Sequence, residues 1–245
     1  LIVVSVALTL RLYGISWDEG FDWTPHPDER AILSKVDSLA PPDITDLGVL
    51  LDANESPWNP RWFPYGSFPL YLLKAVKLTH GLLPGTDLTD LRVAGRMISI
   101  LADVATVVVV FAVGSAAYSR RVGLMAAALV AFAVIHIQLS HFFAADTLLA
   151  LFAVLTMYYL VRVARHGRLQ DSALAGLFVG LGLATKISLA PILGHFVVAH
   201  LMYGLGPLMG SSGRSVLLTV KVETAVRGLL IGVLVATAAF LISQP

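Results

Sequence analysis

Apolar residues fall in long blocks along this chain, and polar residues collect between them. The blocks lie at 1–15, 93–118, 122–139, 147–163, 173–184, 187–205 and 228–242. A helix needs about 20 apolar residues to cross the hydrocarbon core of a bilayer, so each block is a candidate span. The first has neither a basic leader nor a small-residue cleavage site, and is read as a trimmed span rather than a signal peptide. The block at 173–184 is short, and only Lys186 and Pro191 interrupt the run from there to 205. A single long helix is the alternative there.

The stretch 16–92 has a different rhythm. Within 27–40, Ile32, Leu33, Val36 and Leu39 recur at helical spacing, which predicts an amphipathic helix lying on the membrane. A second such segment, 69–83, is apolar and carries Lys74, Lys77 and His80. Taken as a further span, it would invert every later loop. The chain shows no internal repeat and no low-complexity stretch.

Charge placement sets the span count. Arg120 and Arg121 follow the second block, Arg162, Arg165 and Arg168 follow the fourth, and Arg214, Lys221 and Arg227 precede the last. Cytoplasmic loops are enriched in Lys and Arg. Keeping all three clusters on that side requires two crossings between Arg168 and Arg214, hence a hairpin turning near Lys186. Seven spans result, with the amino end inside and the carboxyl end outside. The loop 16–92 then lies outside with 12 of the 16 acids and all four tryptophans. The expected fold is an all-α integral membrane protein of about seven transmembrane helices, its long extracytoplasmic first loop carrying amphipathic interfacial helices. It forms one membrane domain over 1–245, with the loop at 16–92 and a six-helix bundle at 93–245.

Composition agrees. Charged residues are 13% and hydrophobic residues 57% of the chain, whereas soluble domains carry about a quarter charged residues. Cysteine is absent, which excludes disulfides, thiolate metal sites and a Cys nucleophile. Both ends fall in or beside apolar runs, so the expectation is a piece of a longer protein.

This topology gathers polar groups on the outer rim. The loop brings Asp28 and Glu29, the turn after the third block brings His141 and Asp146, the hairpin tip brings Lys186, and the second span brings Arg92 and Arg96. Carboxylates suit proton abstraction, and Arg and Lys suit phosphate. Each also has a plainer use. Asp28 and Glu29 follow Pro27 and suit a first helical turn. Asp146 could cap its helix, and the cations could be snorkelling anchors. Asp103 lies about three turns into the second span, where an ionisable group is costly. It is expected to pair with Arg96 or to stay protonated as a hydrogen-bond donor. His136, His195 and His200 are read as packed core histidines.

Several short motifs occur in order: Trp17-Asp18, His26-Pro27-Asp28-Glu29-Arg30, the run Phe63-Pro64-Tyr65-Gly66-Ser67-Phe68-Pro69-Leu70-Tyr71, Arg96-Met97-Ile98-Ser99, Ser140-His141-Phe142 with Asp146, and Ala184-Thr185-Lys186. In these the chain resembles the GT-C superfamily of membrane glycosyltransferases, specifically its bacterial protein O-mannosyltransferase-like branch. The resemblance implies an inverting transfer of a sugar from a polyprenyl-phosphate donor to a hydroxyl of a protein or glycan acceptor. It implies a bacterial plasma membrane and a site facing outside. The family's first-loop acid, a general base, maps to Asp28 with Glu29 beside it, and Asp18-Glu19 is a rival pair. The second acid maps to Asp146. Lys186, Arg92 and Arg96 are the candidates for donor phosphate, and His26, His141, Asp18 and Tyr65 are accessory candidates. Metal-ligand spacing is lacking, so transfer without a cofactor is favoured over use of a divalent metal. The expected partners are the donor lipid, the acceptor and the bilayer, with a larger membrane complex open and no nucleic acid. A multi-span transporter and a catalytically silent scaffold subunit are the competing classes.

Overall fold

The computed structural model describes residues 1–40, 48–49, 52, 54–80, 91–206 and 214–244. Asp43, Asp46, Asp87, Asp90 and the 81–83 end of the second interfacial segment lie outside the described residues. Among those described, every regular element is helical. The helices are α1 (Ile2–Leu12), α2 (Pro27–Ser38), α3 (Phe68–His80), α4 (Leu91–Ala117), α5 (Arg120–Ala131), α6 (Val134–Ser140), α7 (Ala145–His166), α8 (Leu169–Leu183), α9 (Ile192–Leu205) and α10 (Arg214–Ser243).

Every expected apolar block has a helix, but not every helix can span. Four are long and apolar enough, namely Leu91–Ala117, Ala145–His166, Ile187–Leu205 and Leu218–Ser243. Joining α5 to α6 makes a fifth. At 15 residues α8 reaches about 22 Å, short of the hydrocarbon core of roughly 30 Å. The protein is an integral membrane protein, with four to five spans among the described residues by this measure. The two interfacial segments are helical as expected, as α2 and α3, and both pack onto the bundle. Ile32 and Val36 of α2, with Leu39 just after it, bury against Leu70 and Leu73 of α3, with Phe143 beneath.

The third block is broken. Its two halves meet at 57°. Arg11 bridges the break, donating from Nη1 to the Ala131 carbonyl at 3.0 Å and from Nη2 to that of Val130 at 3.3 Å, which also accepts from the Ala133 amide. Its charge is met by Asp103, 2.5 Å from Nε, whose other oxygen lies 2.5 Å from His136 Nδ1. The expected Asp103–Arg96 pairing is therefore replaced by a triad of Arg11, Asp103 and His136. His136 is satisfied by its hydrogen bond to Asp103. His200 is buried as expected, bonded to Ser172 and the Phe196 carbonyl. His195 faces an open groove. On the far side of the bundle α8 lies flat on α10. A Cβ on Gly176 would meet the Gly232 carbonyl oxygen at 2.1 Å, so this contact admits only glycine.

Candidate active site

The first turn of α2 is built by Pro27 at its first position and by His26, whose Nδ1 accepts from the Glu29 amide at 3.4 Å. The His26 ring stacks on Phe142, 4.3 Å between centroids. Asp28 and Glu29 thus leave the same turn in neighbouring directions and meet different surroundings.

Glu29 is fully buried. Its Oε1 accepts from Arg96 Nε and from the Phe143 amide, both at 2.9 Å, and its Oε2 from Arg96 Nη2 at 2.8 Å. Arg96 also holds Asp18 with Nη1 and Nη2, at 2.6 and 2.7 Å, and donates from Nη1 to the Ile15 carbonyl at 2.8 Å. A guanidinium has five N–H donors, and these five bonds engage all of them. Arg96 has no donor left for a phosphate. Asp18 is held below the usual carboxylate range, chiefly by its bonds to Arg96 and against the opposing effect of burial. Arg92 turns the same way, 3.6 Å from Asp18. This knot ties the loop after α1, the start of α2 and the turn before α7 to one residue of α4.

Asp28 is only half-buried. The Tyr65 hydroxyl lies beside it. Burial first, then Asp28 and Asp146, push the Tyr65 phenol well above its ordinary pKa, so it remains an O–H donor. Lys186 Nζ lies 5.2 Å from the centre of the Tyr65 ring and 2.9 Å from Asp146 Oδ1. Asp146 does not cap its helix: the cap position is Ala144, with no side-chain bond, and the carboxylate goes to Lys186 instead. Asp28, Tyr65, Lys186 and Asp146, from four separate parts of the chain, form one cluster. His141 lies apart from them, its ring nitrogens 2.7 Å from the Ile137 carbonyl and 2.8 Å from that of Tyr13.

Tyr65 is placed by its own motif. The Gly66 amide donates to the Thr185 carbonyl at 2.9 Å, the Phe68 amide to that of Ala184 at 3.2 Å, and the Ser67 amide to Gln244 Oε1 at 2.6 Å. A Cβ on Gly66 would sit 1.8 Å from the Ala184 carbonyl oxygen. The loop therefore lies backbone to backbone on the turn that carries Lys186. Beside the cluster runs an apolar groove lined by Phe63, Tyr65, Leu183, Ile187 and Phe240. Among the described residues, no three His, Asp or Glu side chains gather in a way that could hold a metal ion.

Residues 85–242, from just before α4 nearly to the end of α10, match the family described as dolichyl-phosphate-mannose-protein mannosyltransferase. The chain belongs to this mannosyltransferase family. No curated protein matches it. Membership makes it a membrane glycosyltransferase of GT-C type and favours the enzyme over the transporter. The match covers Arg92, Arg96, Asp146 and Lys186, while Asp28, Glu29 and Tyr65 lie before it. The sequence singled out Asp28, Asp146 and Lys186 without showing that Tyr65 joins them. The role of Gly66 was also unread, although its place between two prolines and two aromatics hints at a tight approach.

Proposed function

We propose that the protein transfers a sugar from a polyprenyl-phosphate donor to an acceptor hydroxyl, with inversion, and that Asp28 is the general base. The observation that carries this is the divergence of the acidic pair: Glu29 has both oxygens committed to Arg96 and the Phe143 amide, while Asp28 stays half-buried beside Tyr65, whose ring faces Lys186. A base must keep an oxygen within reach of the proton it takes. Asp18 is gripped like Glu29. Both are assigned a structural role, with Arg96 as their common partner.

In the proposed step the acceptor oxygen bonds to the anomeric carbon as its proton passes to Asp28. The bond from that carbon to the phosphate oxygen breaks, and the phosphate leaves as an anion. Lys186 has three N–H donors, one of them bonded to Asp146, so two remain for phosphate. A cation aimed at the leaving oxygen stabilises the charge that develops there. Asp146 holds the ammonium in place, and the ring of Tyr65 faces it. The groove between Phe63 and Phe240 offers an apolar path for the donor's lipid tail. The site is assigned to the extracytoplasmic face of a bacterial plasma membrane, opposite the arginine-rich end.

Two measurements test this. Mass spectrometry of lipid copurifying with the protein is expected to find a polyprenyl phosphate species. Asp28→Asn in reconstituted protein is expected to abolish transfer with an unchanged melting temperature; undiminished turnover would move the base elsewhere.

A further inference from the structure

At the opposite end of α7 lies a second groove. Asp146 and Arg165 are nineteen residues apart on this helix, which places them about 28 Å apart. The groove runs between α7 and α9 and closes against the end of α4. Its walls are Met157, Val161, Val198 and Met202, and its mouth holds Tyr118 and Arg165. From Met157 to Arg165 it extends about 12 Å along α7. Val198 and Met202 are among the exposed apolar side chains, so the groove opens sideways, towards acyl chains once the bundle is in a bilayer.

The charge at its mouth is uncompensated. Arg165 donates to the Ala117 carbonyl at 2.7 Å and forms no ion pair among the described residues. Arg120, Arg121 and Arg168, at the same end, have none either. The acids on the neighbouring helix ends are taken: Asp171 by Arg162 at 2.8 Å and Glu223 by Arg227 at 2.6 Å. Arg165 thus stands at the mouth of an apolar slot, with Arg120, Arg121 and Arg168 elsewhere at the same end of the bundle and no carboxylate paired with any of them among the described residues.

We propose that this groove binds an anionic glycerophospholipid, one acyl chain along Met157–Arg165 and the headgroup phosphate on Arg165. The walls argue against a free anion, which would gain nothing from them. The net positive mouth argues against a zwitterionic lipid, whose own cation would be repelled.

The test uses the full chain in mixed phosphatidylglycerol and phosphatidylcholine nanodiscs, with a photoactivatable acyl chain on one lipid at a time. Phosphatidylglycerol is expected to label peptides containing Met157 and Met202 more strongly than phosphatidylcholine. Arg165→Gln is expected to lower that labelling about fivefold, the size of one arginine against an anionic headgroup. Arg165→Lys should retain most of it, and Arg168→Gln, outside the groove, should leave it unchanged. Equal labelling by both lipids, an unaffected Arg165→Gln, or full competition by inorganic phosphate would each overturn the proposal.

Discussion

Asp28 and Glu29 are adjacent in the chain and have opposite fates: Glu29 is sealed against Arg96 at 2.8 Å, while Asp28 is left half-buried with the hydroxyl of Tyr65. Neutralising each should separate chemistry from stability. Glu29→Gln removes one of the two carboxylates that answer Arg96 and Arg92. Breaking a buried pair costs about 3–5 kcal/mol, so its melting temperature in detergent should fall sharply. Asp28→Asn should lower turnover about 100- to 10,000-fold, the size of a general base, with no change in melting.

Tyr65 offers a finer cut. Tyr65→Phe keeps the ring under Lys186 and removes only the hydroxyl on Asp28. A hydrogen bond to a charged group is worth about 1.5–3 kcal/mol. The expected result is a kcat lower by roughly 10- to 100-fold with the donor KM unchanged. Tyr65→Ala, which removes the ring as well, should raise KM too.

Asp18 predicts an acid limb in stability. Its carboxyl titrates lower in the folded protein than in the unfolded chain, because Arg96 bonds its charged form. A depressed pKa contributes stability that is complete above the unfolded value, about 3.9, and fades as pH falls through the folded one. Melting measured from pH 7 downwards should therefore hold until near pH 4 and then drop. In Asp18→Asn that part of the drop should vanish and stability should be lower at neutral pH.

Gly66→Ala places a methyl group against the Ala184 carbonyl oxygen, a backbone atom that cannot swing aside. Overpacking of this kind costs about 1–3 kcal/mol. The loop should lift from the Lys186 turn, raising the donor KM and increasing proteolysis between Asn59 and Ser67. Unaltered kinetics would show that Tyr65 does not depend on this contact.

Arg11 and Asp103 should be strongly coupled. Asp103→Asn strands a buried arginine and is expected to cost about 3–5 kcal/mol. Arg11→Met with Asp103→Leu removes both charges, and its loss should be well below the sum of the two single changes. A double-mutant cycle in unfolding experiments reads this directly.

How far the sequence reveals these relationships depends on the range of the interaction. Hydrophobic blocks and the spacing of Ile32, Val36 and Leu39 are local signals, so the helices were legible from them. The clustering of Asp28, Asp146 and Lys186 was legible through charge placement and family motifs. Pairings across 67 or more positions, such as Glu29 with Arg96 or Arg11 with Asp103, leave no periodic trace. Asp103 is expected from the sequence to pair with Arg96 or to stay protonated, whereas its partners come from α1 and α6. The break between α5 and α6 was hidden as well, since Phe132 and Ala133 are as apolar as their flanks and neither is proline or glycine.

The Arg11 contacts also bear on how the chain enters its membrane. A buried arginine on an apolar helix is costly in hydrocarbon unless it is paired. The charge becomes tolerable when Asp103 and the carbonyls of Val130 and Ala131 are there to receive it. All three lie later in the chain, so the charge of α1 is answered only by helices made after it. The earliest helix of this group is then the last to have its polar side chain satisfied.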